Sequence, residues 1–148
     1  MSSNEDQLRG YFHAYQHGDV DASLEYMTDD VVYIDHAMGF RATNKTYLRR
    51  AWNRYFEVAS NDDHSSEVHS LHLTPTGEYF VEWTERNRLD RDWAFLRATG
   101  TPYAVRGVSI GLIKDGLIVH NADYYDLTSI LRQSGIDEVP KSIPTLEL

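Results

Sequence analysis

The chain has 148 residues, a formal net charge of -9 and no cysteine. The negative charge argues against nucleic acid, whose binding rests on phosphate neutralisation by Lys and Arg, and against an anionic membrane surface. The missing thiols exclude disulfides, thiolate catalysis and Cys-ligated zinc or iron–sulfur centres. The length fits one domain over 1–148, with a core expected at about 8–135 and an irregular tail over 136–148 that holds Pro140 and Pro144. Ten Tyr and three Trp suit a pocket with apolar walls and hydrogen-bonding tips. No apolar run approaches the roughly 18 residues that span a bilayer. The polar, acidic start Met1-Ser2-Ser3-Asn4-Glu5-Asp6 is unlike a targeting peptide, so a cytoplasmic protein is expected.

Leu8, Tyr11, Phe12 and Tyr15 fall at helical spacing, with Gly18 as a stop. Asp19 suits the N-cap of a second short helix carrying Leu24 and Met27. A β-rich run follows at 31–35. Leu48, Trp52, Tyr55, Phe56 and Ala59 then form another helical stripe, entered near Thr43 or Asn44. The remainder reads as strands: 68–73, then 79–89 after the turn at Thr76-Gly77, then 103–113 and 117–125 joined by the hairpin signal Asp115-Gly116. A last short helix holds Ile130 and Leu131 and ends near Gly135. Helices first and a long antiparallel meander after them read as α+β, a strongly curved sheet wrapped around helices and enclosing a pocket at one end of a cone.

The candidate chemistry is that of carboxylates. Burial in an apolar pocket disfavours the charged form and raises the pKa, which makes an Asp a competent acid or base near neutral pH. Tyr33 and Asp35 are two apart and share a strand face, as do Asn121, Asp123 and Tyr125. Asp126 is the better placed residue to cap the last helix, which leaves Asp123 free for chemistry. On the run 79–89 and just beyond it, Glu82, Thr84, Arg86, Arg88 and Asp90 lie opposite Tyr79, Val81, Trp83 and Leu89. That polar side faces either water or the pocket. An Arg between two carboxylates would hold both ionised and oriented. His69 and His72 fall on opposite strand faces, and no His pair has metal-ligand spacing, so no metal is expected. His36 and His72 are candidates for orienting a pocket carboxylate, and Trp52 and Phe56 for its apolar wall.

The element order, Gly18-Asp19-Val20-Asp21 after the first helix, Tyr33-Ile34-Asp35 after Asp29-Asp30, and the ending Asp115-Gly116-Leu117-Ile118 through Asp123-Tyr124-Tyr125-Asp126-Leu127 resemble the nuclear transport factor 2-like superfamily. Within it, the SnoaL-like polyketide cyclases, limonene-epoxide hydrolase and ketosteroid isomerase are the most similar. Limonene-epoxide hydrolase has a catalytic Asp matched by Asp123 and a Tyr-x-Asn water-holding pair matched by Tyr33 and Asp35. Its Glu-Arg-x-Asp segment falls on Glu85-Arg86-Asn87-Arg88, where the second carboxylate becomes Arg88; a two-residue shift to Arg88-Leu89-Asp90 restores it. In the ketosteroid isomerase overlay the proton-shuttling Asp falls on Asp35 and the oxyanion-binding Tyr on Tyr11. That overlay's protonated Asp falls near Ser109, a departure.

The resemblance implies a cofactor-free acid–base enzyme for a small apolar polyketide-, terpenoid- or steroid-like substrate, acting by isomerisation, cyclisation or dehydration. Asp123, Asp35, Tyr33, Arg86 and Arg88 are the catalytic candidates, and Tyr11, His36, Trp52, Phe56, His72, Asp90 and Ser109 the substrate-binding ones. Two alternatives stand beside it: an epoxide hydrolase with a carboxylate–Arg–carboxylate water site, and a non-catalytic binding or dimerisation module in which Asp35 and Asp123 do not converge. Homodimerisation through the exposed sheet face is implied by the same resemblance.

Overall fold

The computed structural model describes residues 2–59 and 62–138. The N-terminal helix α1, Asn4–Gln16, starts on a capping box in which Ser3 and Asp6 satisfy each other's backbone N–H groups. It buries Leu8, Tyr11, Phe12 and Ala14 along one face. Asp19 caps α2, Val20–Glu25, by accepting from the Ala22 N–H at 3.0 Å. This helix is shorter than expected, because Met27 opens the strand β1, Met27–Asp35, instead of closing the helix.

The strand β2, Phe40–Ala42, has no counterpart among the sequence-based elements, since three residues carry too little periodicity to read. The helix α3, Lys45–Ala59, buries Leu48, Ala51, Trp52 and Phe56 at the expected spacing, with Asn44 accepting from the Tyr47 N–H at 2.8 Å. Four longer strands follow: β3, Ser65–Leu73; β4, Glu78–Asn87; β5, Tyr103–Lys114; and β6, Leu117–Tyr125. Asp115 and Gly116 both take positive φ, as a tight two-residue hairpin requires. The helix α4, Leu127–Gln133, begins after Asp126, but Asp126 makes no side-chain cap bond, contrary to expectation. Instead its carboxylate lies 3.8 Å from Arg132. Of the expected tail over 136–148, residues 139–148 lie outside the described residues.

The six strands form one open, curved sheet in the order β2-β1-β6-β5-β4-β3. All neighbours are antiparallel except β1 and β6, which run parallel. The helices α1 and α3 bring Leu8, Tyr11, Phe12, Leu48, Trp52 and Phe56 into the same apolar core as Tyr33, Tyr79, Val81 and Trp83 of the sheet. Each such side chain, fully buried, contributes roughly 1.5–3 kcal/mol.

Two glycines shape the inner surface. Trp83 pairs with Gly107 and Tyr79 with Gly111 across β4 and β5. A Cβ at Gly107 would lie 2.6 Å from Trp83 Cζ2, and one at Gly111 would overlap the Tyr79 hydroxyl. The missing side chains let both rings lie flat across β5, where their polar tips reach the next inward-facing residues.

Candidate active site

Between the helices and the concave face of the sheet lies a cavity of about 100 Å³, counted as space open to the centre of a water molecule. Residues of α1, α3, α4 and all six strands line it, together with Met38 and with Leu89, Trp93 and Leu96 of the β4–β5 connection. That connection is tied to α3 by the Asp90 N–H, which donates to the Val58 carbonyl at 3.0 Å. Eleven of the 22 lining residues are aromatic. Three are carboxylic acids, Asp35, Glu85 and Asp123, and none is Lys, Arg or His.

Asp35 and Asp123 are direct neighbours because the parallel pairing of β1 with β6 sets them opposite each other. Asp123 is held by three donors. Its Oδ1 accepts from Ser109 Oγ at 2.6 Å and from Asn121 Nδ2 at 2.8 Å, and its Oδ2 accepts from the Tyr33 hydroxyl. Two of these donors are themselves oriented from behind. Trp83 Nε1 donates to Ser109 Oγ at 2.9 Å, and the Tyr79 hydroxyl donates to Asn121 Oδ1 at 2.7 Å, which turns the amide nitrogen toward Asp123. Asp35 Oδ1 accepts from the Met38 N–H at 2.8 Å, and its Oδ2 from the Tyr125 hydroxyl at 2.8 Å. Glu85 Oε1 accepts from the Tyr55 hydroxyl, whose oxygen accepts in turn from Asn87 Nδ2 at 3.0 Å.

The surroundings raise all three acids. Burial, and then the charge of Asp123, push Asp35 up to about 7 against the opposing bonds from Met38 and Tyr125. Burial pushes Glu85 up to about 7, with the Tyr55 bond opposing and the Asp123 charge adding. Burial also raises Asp123, against the bonds from Ser109, Tyr33 and Asn121. Burial holds the hydroxyls of Tyr33, Tyr55 and Tyr125 well above the ordinary phenol value, so they remain donors. Two carboxyls in this proximity resist carrying two charges, and near neutral pH one can donate a proton while the other accepts.

Of the sequence-based candidates, Asp123, Asp35, Tyr33, Tyr11, Trp52 and Ser109 all line this cavity. The non-catalytic alternative expected the two aspartates not to converge, and they do. The others stand elsewhere. Arg86 is exposed and lies 3.7 Å from Glu67 on the outer face. Arg88 bonds Asp63 and Asp90, at 2.5 Å and 3.1 Å. Arg86 occupies an even position of an alternating strand whose odd positions face inward, so strand parity turns it out, and Arg88 lies just past the end of that strand, half-buried among its acidic partners. Asp90 is exposed, so among the described residues no carboxylate–Arg–carboxylate set is assembled around the cavity. His36 is exposed and stacks on Tyr124 at 4.4 Å. His72 is exposed on β3 beside Phe80, and Phe56 is buried behind the wall, in contact with Tyr15 and Tyr55. Among the described residues no group of three or more His, Asp or Glu is arranged to hold a metal ion. No helix among them is long and apolar enough to cross a membrane.

The sequence reading missed Glu85, Tyr55 and Tyr125 as site residues. The signal for Glu85 was present: it shares the odd parity of Tyr79, Val81 and Trp83, so an inward carboxylate follows from the same alternation that turns Arg86 out.

An open, curved six-stranded sheet with helices over its concave face and a polar cluster in the cavity defines the ketosteroid isomerase-like, NTF2-like class of α+β proteins. The chain belongs to the SnoaL-like domain family, whose model matches residues 8–121. A polyketide cyclase candidate from Pseudomonas putida is similar over 90% of this chain and 98% of its own, with 19% identity and a TM-score of 0.77. A protein with a ketosteroid isomerase-like fold from Catenulispora acidiphila, solved in complex with trimethylamine, covers 93% of this chain and 100% of its own, at 20% identity and a TM-score of 0.75. A third structure, proposed to be a polyketide cyclase from Xanthomonas campestris, covers 88% and 96%, at 20% identity and 0.73. At these identities the likeness establishes the fold. No curated protein matches the chain at a significant level.

Proposed function

We propose that this protein is an acid–base enzyme that uses its own carboxyl groups on a small, largely apolar molecule, moving a proton in an isomerisation, cyclisation or dehydration. The observation that carries the reading is the in-register pair Asp35–Asp123, set side by side in an aromatic cavity with separate donor sets. Asp35, titrating at about 7, is poised to take and return a proton at working pH. Asp123 is fixed by Ser109, Asn121 and Tyr33 and serves as its partner. The apolar walls select an apolar substrate body and keep water from levelling the two proton affinities. Membership of the SnoaL-like family and the polyketide-cyclase names of the structural relatives support a cyclase or isomerase within this class. The outer sheet face, where Ile110 and Tyr124 are exposed, is the surface a homodimer would use.

The test is proton exchange. Enolisable, mostly apolar ketones are incubated with the protein in heavy water and deuterium incorporation is followed by NMR. Wild-type protein accelerates exchange, and Asp35→Asn and Asp123→Asn each slow it by at least about a hundredfold while the fold is retained. Undiminished exchange in both variants overturns the reading.

A further inference from the structure

Glu85 has no task in the proton transfer just described, and its surroundings ask for one. It is a carboxyl group on the inner face of β4, and among the described residues no cation answers it. The nearest basic group is His64, whose Nε2 stands 4.0 Å from Glu85 Oε1, outside hydrogen-bond reach. The His64 side chain is only 6% exposed, its Nε2 has no hydrogen-bond partner, and burial lowers its pKa, which favours the neutral ring. Arg86 of the same strand faces outward, and Arg88 just beyond its end bonds Asp63 and Asp90. Buried carboxylates are normally paired, because an unpaired one costs several kcal/mol to desolvate. Here the wall around the acid is aromatic. The Tyr55 and Trp93 rings meet edge to face at 5.2 Å, and Tyr103 lines the same cavity. The faces of such rings carry negative quadrupole density, which attracts a cation and does nothing for an anion.

We propose that Glu85, with Tyr55, Trp93 and Tyr103, forms a subsite for an organic ammonium group, so that the substrate is an apolar molecule with a positively charged amine at one end. The ligand supplies the counter-charge that the protein withholds, and the amine anchors the molecule while Asp35 and Asp123 act on the rest of it. Arrival of the cation offsets the burial that pushes Glu85 up to about 7, and so favours its ionised form. This inference rests on the reading of the cavity as the substrate site.

The probe is tetramethylammonium chloride, titrated at constant ionic strength against tert-butyl alcohol, a neutral molecule of similar shape, with binding followed by calorimetry and tryptophan fluorescence. Tetramethylammonium is expected to bind saturably and at least about tenfold more tightly than the alcohol. Glu85→Gln and, as a second variant that leaves the acid in place, Trp93→Leu each weaken it by about tenfold or more. Glu82→Gln, on the outer face of the same strand beside Arg106, leaves it unchanged. Equal affinity for the neutral isostere, full affinity in a folded Glu85→Gln protein, or no saturable binding overturns the proposal. None of these measurements needs turnover, so failure here is separate from failure of the acid–base reading, which is decided by the Asp35→Asn and Asp123→Asn exchange rates.

Discussion

Replacing Asp35 by Asn removes a titrating group whose folded and unfolded forms differ strongly in proton affinity. In the unfolded chain the carboxyl ionises near 3.8; in the folded protein it holds its proton up to about 7. Between these values the folded state binds more protons than the unfolded one. The stability this contributes is therefore fully present below the unfolded value and is lost as pH rises through about 7. Linkage over that window gives a loss of roughly 2 to 3 kcal/mol from this one group between about pH 5 and about pH 8. The amide introduced by Asp35→Asn cannot titrate, and its oxygen can still accept from the Met38 N–H. Glu85 titrates over a similar window in both proteins and cancels in the comparison. Urea unfolding of wild type and Asp35→Asn, followed by tryptophan fluorescence at the two pH values, measures the difference directly. The wild type should lose roughly 2 to 3 kcal/mol more than the variant on going to the higher pH. Parallel stability curves would refute the claim that burial holds Asp35 protonated.

Gly107→Val places a side chain where the Trp83 ring now lies, and overpacking of this kind costs about 1–3 kcal/mol or more. A lowered Tm is expected, together with an altered Trp83 fluorescence signal as the bond to Ser109 is displaced; an unchanged Tm would count against the close approach. Tyr33→Phe deletes a donor to Asp123, so the Asp123 pKa should rise further, which carboxyl-carbon NMR would detect. The same change should cost about 1.5–3 kcal/mol of stability where Asp123 is ionised, since bonds to charged groups are the stronger ones.

The Asp35–Asp123 site was legible in the sequence because it is built on strand alternation. Tyr33 with Asp35, and Asn121 with Asp123 and Tyr125, could be assigned to shared faces two residues at a time. What alternation alone does not reveal is which face is inward when both carry polar groups. On β4 the even positions hold Glu82, Thr84 and Arg86, and the odd ones hold Glu85 and Asn87 among apolar residues. Only the packing of Trp83 and Val81 against the helices decides between them, and it brings Glu85 in and leaves Arg86 out. Met27 shows the same limit at an element boundary: its helical spacing from Leu24 is real, but its side chain is fully buried as the first residue of a strand. Asp126 has the right type and position for a cap, yet its carboxylate makes no cap bond and lies toward Arg132. Propensity names what a residue can do, and tertiary contacts choose among the options.

The parallel pairing of β1 with β6 has a consequence for the order in which the molecule becomes competent. Tyr33 and Asp123 bond across 90 positions of chain, as do Asp35 and Tyr125, so the two acids meet only when an early strand receives the last one. Contacts of such long sequence separation carry a larger loop-closure cost than pairing between neighbours in the chain. The remaining strands can assemble as a ladder of local antiparallel neighbours before that step. The candidate pair thus reports complete assembly: a molecule in which β1 has not reached β6 does not set Asp35 beside Asp123.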